Sequence, residues 1–192
     1  MTRTPGPLRL LLAAACAALA LTGCSEDDPA PKIDPGDSSS AAATPTPTST
    51  APVEPTLPAE AEGTDAAAAE AFVEFYWEMV NYAQATGDVD GLRELALESC
   101  AACKGGADGI SQIHSADGLI DGGVVTVQAL NARRFESGPA TGFIVIARTD
   151  VSPQVIRVPG KKAERYAGGP GEVQMIVQST DDGWRIGRWD AQ

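Results

Sequence analysis

The sequence contains very little histidine, and it lacks the residue patterns of the common catalytic centres. His114 is the single histidine among 192 residues, and aromatic residues make up only 5% of the chain. A structural zinc site needs four ligands, which one histidine makes hard to assemble. No Gly-x-Ser-x-Gly, Ser-x-x-Lys, His-Glu-x-x-His or phosphate-loop motif is present. The sequence therefore predicts no catalytic residue, no cofactor and no metal ligand, and it does not favour an enzyme.

Positive charge is also scarce. The chain carries 14 Lys and Arg residues against 26 Asp and Glu residues, which gives a formal net charge of −12. A protein this acidic is repelled by nucleic acid and by anionic lipid headgroups. We therefore expect no nucleic-acid partner and no electrostatic attachment to a membrane.

Long apolar runs are missing, apart from a short one over residues 8–21, which follows a basic start at Arg3 and Arg9. It is too short to span a bilayer comfortably. The run ends in Leu-Thr-Gly-Cys, residues 21–24, which resembles the lipobox of bacterial lipoprotein precursors. The resemblance implies cleavage before Cys24, a palmitate-type lipid anchor on Cys24, and a place on the extracytoplasmic face of the cell membrane. An ordinary secretory signal peptide with a chance cysteine is the alternative.

Residues 24–63 have the composition of a linker. Pro, Thr, Ser, Ala and acidic residues dominate, and no hydrophobic periodicity is visible. Such a stretch has too little apolar area to offset the entropy cost of ordering. About forty such residues span roughly 35 Å as a flexible coil. We predict a signal peptide over residues 1–23, a disordered linker over residues 24–63, and one folded domain over residues 64–192.

The domain is predicted to begin with a long helix over residues 66–85, capped by Thr64 or Asp65 and ended by Gly87. Apolar side chains at i, i+3 and i+4 spacing define one buried face: Phe72, Phe75, Tyr76, Met79 and Ala83. Three more widen that face: Val73, Trp77 and Val80. This width predicts a central helix that lies in the curve of a sheet. An aromatic ligand site is the functional alternative.

A Cys-Ala-Ala-Cys motif follows a second, shorter predicted helix capped by Asp88. Of four cysteines, Cys16 lies in the predicted signal peptide and Cys24 is the predicted lipid site, so Cys100 and Cys103 remain. An even pair in an exported protein favours a disulfide. On the first turn of a helix this spacing puts the Cα atoms about 5 Å apart, which a disulfide tolerates. We predict a structural disulfide at the start of a third helix, with a redox-active pair as the alternative.

The second half of the domain changes to strand-like periodicity. Strands are predicted over residues 124–135, 142–149, 151–158, 172–179 and 184–189. In the last of these, Trp184, Ile186 and Arg188 alternate on one face. Residues 159–171 are predicted to form a long mobile hairpin loop. Its cluster of positive charge is a candidate docking surface, with a solvated loop as the alternative: Lys161, Lys162 and Arg165.

Several short motifs together resemble the nuclear-transport-factor-two-like superfamily. They are Phe75-Tyr76-Trp77, Asn81-Tyr82, Gly87-Asp88-Val89-Asp90, Leu92 and, at the last strand, Asp182-Gly183-Trp184-Arg185-Ile186. The resemblance covers residues 65–190 and implies a cone-shaped α+β fold, with N-terminal helices packed into a curved antiparallel sheet. That superfamily hosts both enzymes and noncatalytic domains, so it implies no single function. The chain also resembles a family of actinobacterial lipoproteins without an assigned role. The resemblance rests on the combination of the lipobox, the linker, the long helix and the Cys-Ala-Ala-Cys motif.

These features predict a membrane-anchored lipoprotein that acts as a binding or interaction module of the cell envelope. Its partner is an envelope protein or a small apolar ligand. A closed apolar cavity with converging polar groups would favour the ligand. A filled cone with a large exposed apolar patch would favour the protein partner.

Two other functions stay open from the sequence. One is an enzyme that acts on a small apolar substrate in the cone cavity, with His114 held by Asp117, or with Tyr76, Tyr82 and Asp150. The other is a thiol–disulfide redox protein that uses the Cys-Ala-Ala-Cys pair.

Overall fold

The structure is a computed structural model that describes residues 51–137 and 140–192. The predicted signal peptide, the predicted lipid site Cys24 and most of the predicted linker lie outside these residues. Within them the chain forms three α-helices, one 3-10 helix and seven β-strands. The predicted α+β class is confirmed. In this part of the chain, no helix combines the length and the apolar character needed to cross a membrane.

Helix α1 spans Ala66–Thr86 and lies at the centre of the core. Asp65 is its cap, because the carboxylate oxygen of Asp65 accepts the N–H of Ala68 at 2.9 Å. Gly87 ends the helix in the left-handed region, with φ of 82°. The apolar face predicted from the spacing is buried at seven of its eight positions: Phe72, Val73, Phe75, Tyr76, Trp77, Met79 and Ala83.

Two shorter helices follow α1. Helix α2 spans Asp90–Glu94, and helix α3 spans Ala101–Ser115. The carboxylate of Asp88 accepts the N–H of Asp90 at 3.2 Å, although the residue in the cap position of α2 is Val89. Helix α3 begins between the two cysteines, as the sequence predicted.

The strands form two antiparallel sheets. The main sheet has the order β2-β3-β6-β7, with β2 at Val125–Ser137, β3 at Ala140–Val151, β6 at Gly169–Thr180 and β7 at Gly183–Ala191. The small sheet has the order β1-β4-β5, with β1 at Leu119–Gly122, β4 at Gln154–Arg157 and β5 at Glu164–Tyr166.

The loop predicted over residues 159–171 contains strand structure at two places. Strand β5 pairs with β4, with Arg165 opposite Val155, and β6 begins at Gly169, opposite Val151. The loop prediction is therefore wrong for these residues. All three side chains of β5 are exposed. The strand therefore has no alternation of apolar and polar residues from which it could be predicted.

A β-bulge in β7 decides which side chains enter the core. Val177 pairs with Ile186 and Ile176 pairs with Arg188, so Gly187 is the extra residue. An extra residue reverses the alternation of the side chains that follow it. Arg188 is consequently exposed, whereas the side chain of Trp189 packs against the core. The predicted alternation holds for Trp184 and Ile186, which are both buried, but it is wrong for Arg188.

Both outer strands of the main sheet are hydrogen-bonded to neighbouring segments. The Asn81 amide of α1 donates to the carbonyl of Val125 and accepts its N–H, both at 2.8 Å. At the other edge, Ile186 donates to Leu95 at 2.8 Å and accepts from Leu97 at 2.9 Å. These bonds use groups that an open sheet edge would leave unpaired, and they hold α1 and the α2–α3 connection against the sheet.

The chain just before α1 also packs on the domain. A 3-10 helix spans Ala59–Glu62, and Ala61 is 1% exposed. The carbonyl of Gly63 accepts the indole N–H of Trp184 at 3.0 Å. The end of the predicted linker is thus in contact with the core. A single buried alanine in a short segment rich in proline and glutamate produces no periodicity, so the sequence does not predict this contact.

Candidate functional site

An uncharged cavity, half open to solvent, lies between α1, α3 and strands of both sheets. Its volume is about 280 Å³. Fifteen residues line it, and none of them is charged: Tyr76, Trp77, Val80, Gln84, Leu92, Ala102, Cys103, Gly106, Ala107, Ile110, Gly123, Val125, Val151, Gln154 and Trp189. We call this space the aromatic cavity.

Three aromatic rings form one wall of the aromatic cavity. The ring centroids of Tyr76 and Trp77 are 5.7 Å apart, and those of Trp77 and Trp189 are 6.1 Å apart. Both pairs meet edge to face, the arrangement favoured by the quadrupoles of aromatic rings. Tyr76 and Trp77 come from the predicted face of α1, whereas Trp189 comes from β7 beyond the bulge.

The indole nitrogens of this wall are buried donors without acceptors. Nε1 of Trp77 and Nε1 of Trp189 are shielded from solvent, and neither has a hydrogen-bond partner among the described residues. A buried donor left unpaired costs about 1–3 kcal/mol. Trp184 provides a contrast in the same fold, because its N–H donates to Gly63. Unpaired buried donors in a native fold call for a functional or structural reason.

Two glutamine side chains mark the polar end of the aromatic cavity. The amide of Gln154 donates to Oε1 of Gln84 at 2.6 Å, and the amide of Gln84 donates to the carbonyl of Gly123 at 3.1 Å. The two amides therefore largely satisfy each other and the backbone.

Burial keeps the one ionisable side chain of the cavity neutral. Tyr76 is 2% exposed. Loss of solvent raises the pKa of Tyr76 to about 12, and the neighbouring Trp189 side chain opposes this rise in smaller measure. The phenol and the indole are close, but they do not reach the geometry of a hydrogen bond. At neutral pH the cavity therefore carries no charge.

The cysteine pair lies beside the same cavity. The sulfur atoms of Cys100 and Cys103 are 2.05 Å apart, and the Cα atoms are 5.3 Å apart, as expected for a disulfide. Cys100 is 1% exposed and Cys103 is 6% exposed, and Cys103 lines the cavity. The pair thus closes the first turn of α3, which follows shortly after the segment that is bonded to β7.

His114 does not form an acid–base site with Asp117. Its Nε2 lies 3.0 Å from the carbonyl oxygen of Gln84 in the last turn of α1. A carbonyl only accepts, so this nitrogen carries a proton and donates it. The contact satisfies a C-terminal carbonyl of α1. Asp117 is exposed and meets His114 only through the backbone.

The structure does not bring together Tyr76, Tyr82 and Asp150, the other three residues considered for an enzyme in the cone cavity. Tyr76 lines the aromatic cavity, whereas the hydroxyl of Tyr82 donates to Asp88 at 3.4 Å. Asp150 is exposed near the end of β3, beside a different depression. Over residues 51–137 and 140–192, no cluster of three His, Cys, Asp or Glu side chains is placed to hold a metal ion.

Other surface features have different chemistry. The basic residues predicted as a docking surface are exposed around β5: Lys161, Lys162 and Arg165. A larger cleft of about 540 Å³ lies between the segment before α1 and the β6–β7 turn. Five carboxylates line it: Glu54, Glu62, Glu94, Asp181 and Asp182. That charge disfavours anionic ligands, and nothing else in the cleft indicates a bound species.

Sequence and structure together define an α+β domain with a small uncharged cavity, and comparison with known proteins gives its family. Residues 40–190 match a family described as "Family of unknown function (DUF6318)". The chain belongs to this family.

No curated protein matches the chain. Among solved structures, the chain is similar to one described as "Crystal structure of intermembrane space region of chloroplast protein ARC6". The identity is 13% and the TM-score is 0.47, over 67% of this chain and 97% of that chain. At that TM-score the likeness supports no inference about function.

Proposed function

We propose that this protein is a lipid-anchored binding module of the cell envelope, whose domain takes a small ligand into the aromatic cavity. The lipobox-like sequence before Cys24 supports the anchor and the extracytoplasmic location. The composition of the preceding and following segments supports a signal peptide and a linker. The motif resemblances support a cone-shaped domain of the nuclear-transport-factor-two-like type in an actinobacterial lipoprotein.

One observation carries the proposal for the domain. The aromatic cavity is uncharged and has a wall of three aromatic rings. Ligand sites are typically apolar concavities with a few polar groups that fix orientation.

The cavity favours a small ligand over the other proposed roles. A redox role would require an attacking thiolate to reach a disulfide sulfur, but both cysteines are buried. An enzyme would require reactive groups in the cavity, and its lining contains none with a lowered pKa or a paired base. The domain therefore acts by binding.

A substitution on α3 tests whether the cavity is the binding site. Gly106 lines the cavity, and a Cβ atom added there has no neighbour within 4 Å. Gly105 has the same free space but does not line the cavity. A suitable probe for this uncharged aromatic lining is 2-acetylnaphthalene, a neutral two-ring ketone. We expect Gly106→Leu to weaken its binding by at least about tenfold in calorimetric titration of the full-length protein.

The matched control is Gly105→Leu, which should bind the probe with the affinity of the unaltered protein. Equal affinities in all three proteins, or equal loss in both variants, would remove the aromatic cavity as the binding site.

A further inference from the structure

We propose that the outer edge of β5 binds an acidic, extended segment of a partner polypeptide. The segment adds to the small sheet as a further strand, and three cations beside the edge attract its carboxylates: Lys161, Lys162 and Arg165. These side chains do not line the aromatic cavity, so the inference goes beyond the proposed small-ligand function and does not depend on it.

The outer edge of β5 is open, unlike the edges of the main sheet. Strand β5 is the last in the order β1-β4-β5, and among the described residues only β4 pairs with it. The outer strands of the main sheet are instead bonded to Asn81 and to the α2–α3 connection. An edge strand offers unpaired N–H and C=O groups to which an extended peptide can add.

The charge beside this edge is positive and has no local counter-charge left. The small sheet and the connection from β4 to β5 contain four cations and two carboxylates, a net charge of +2 in a chain of −12. Both carboxylates already have a partner. Asp121 pairs with Arg157 at 3.3 Å, and Glu164 accepts the hydroxyl of Tyr166 at 2.8 Å.

The remaining three cations of this region are exposed and form no ion pair with any described residue: Lys161, Lys162 and Arg165. Elsewhere in the domain, five cations each have a carboxylate at 2.6–3.6 Å: Arg93, Lys104, Arg134, Arg148 and Arg188. The edge of β5 is therefore a place where an acidic partner gains charge contacts without displacing existing ones.

This arrangement favours an acidic strand over other occupants. A second copy of the chain, paired antiparallel through the same edge, would place Arg165 opposite Arg165, and like charges directly opposite are destabilising. A membrane or a nucleic acid is an extended anionic surface and would also meet the acidic remainder of the domain. A short peptide interacts mainly with charges within a Debye length, about 10 Å.

A matched pair of peptides tests the proposal on the full-length protein. Both are acetylated and amidated heptapeptides with threonine at alternate positions, and the positions between carry glutamate in one peptide and glutamine in the other. Alternate positions share one face of a strand. We expect the glutamate peptide to bind at least about fivefold more tightly at low ionic strength, and this preference to shrink as salt is added. NMR titration of the ¹⁵N-labelled protein measures both affinities.

Two variants with the same change in net charge locate the surface. The triple variant Lys161→Gln, Lys162→Gln and Arg165→Gln should lose the preference for the glutamate peptide. The control replaces three exposed cations of the main sheet by glutamine and should keep the preference: Arg133, Arg134 and Arg148. Neither set removes a buried side chain, so both variants should fold.

Amide hydrogen exchange distinguishes an added strand from a loose ionic contact. When most of the protein is bound to the glutamate peptide, at least one amide of β5 should exchange at least about fivefold more slowly, because a ladder hydrogen bond protects it. A preference for glutamate without any protection in β5 would overturn strand addition.

The other outcomes also decide the proposal. Equal affinity for the two peptides, no binding of either at millimolar concentration, or a preference that survives in the triple variant would overturn it. The last alternative is a lipid surface. Full-length Cys24→Ala protein that binds vesicles containing phosphatidylglycerol only while Lys161, Lys162 and Arg165 are present, and that ignores the glutamate peptide, would assign the surface to lipid and overturn the proposal. None of these results bears on the aromatic cavity, which titration with 2-acetylnaphthalene tests separately.

Discussion

Gly87 shows how one residue sets the junction between α1 and α3. Its φ of 82° lies in the left-handed region, and an added Cβ would lie 2.6 Å from Cγ of His114. We expect Gly87→Ala to lower the free energy of unfolding by at least about 1–2 kcal/mol, since an L-residue is strained there even without the contact. Urea denaturation measures the change.

Gly105→Ala is the control for that substitution. Gly105 lies inside α3 and has free space around it, so alanine should raise stability by about 1 kcal/mol through helix propensity. Effects of the same sign and size at both positions would contradict this account of Gly87.

Tyr76 predicts how stability changes at alkaline pH. Its folded-state pKa is raised to about 12 by burial, whereas a tyrosine in the unfolded chain has a pKa of about 10. Above pH 10 the unfolded state loses its proton first and is favoured. The free energy of unfolding should therefore fall between about pH 10 and 12, by up to about 1.4 kcal/mol per pH unit.

The measurement is urea denaturation across this range for the unaltered protein and for Tyr76→Phe. The variant should show a shallower decline. An identical decline would mean that Tyr76 ionises in the folded protein as it does in the unfolded chain.

The sequence predicted some residues of the candidate site and missed others for a physical reason. Tyr76 and Trp77 were predictable as buried aromatics, because helical spacing is a local property. Trp189 was not, because a strict alternation from Trp184 places Arg188 inside, and the bulge at Gly187 depends on pairing with β6. The unpaired indole donors depend on the placement of whole rings, which no local pattern encodes.

At the scale of elements, the disulfide between Cys100 and Cys103 should stabilise the start of α3 locally. The loop between Cys100 and Cys103 is short, so chain entropy gives the bond only about 2 kcal/mol. We expect reduction to lower the free energy of unfolding by about that amount. We also expect it to speed amide hydrogen exchange in α3 more than in α1.

The control for this prediction is the double variant Cys100→Ser with Cys103→Ser, on which a reductant should have no further effect. Free thiols at both positions in the non-reduced exported protein, measured by mass spectrometry of its peptides, would contradict the predicted bond.

Element boundaries were predictable where local chemistry fixes them. Asp65 caps α1 and Gly87 ends it, and both signals lie within the adjacent turn. The division of the strands into two sheets was not predictable, because register comes from contacts between residues distant in the chain. Strand β5 is the clearest case, since its three exposed residues are ordered by pairing with β4 alone.

At the scale of the whole molecule, the proposed anchor makes a simple prediction. If Cys24 carries the lipid, Cys24→Ala should move the protein from the membrane fraction to the soluble or secreted fraction, because the remaining chain is acidic and has no second anchor by this account. Cell fractionation with immunoblotting measures the distribution.

Cys16→Ala is the matched control and should leave the protein in the membrane fraction. Continued membrane association of Cys24→Ala would contradict lipid anchoring.

The central claim is that the aromatic cavity between α1 and α3 binds a ligand. The most direct measurement is the NMR spectrum of the three tryptophan indole N–H groups during titration of the ¹⁵N-labelled full-length protein with 2-acetylnaphthalene. We predict saturable shifts of the Trp77 and Trp189 signals and an unchanged Trp184 signal, since the Trp184 N–H is bonded to Gly63 outside the cavity wall. Unchanged Trp77 and Trp189 signals at a saturating concentration of the probe would contradict the claim.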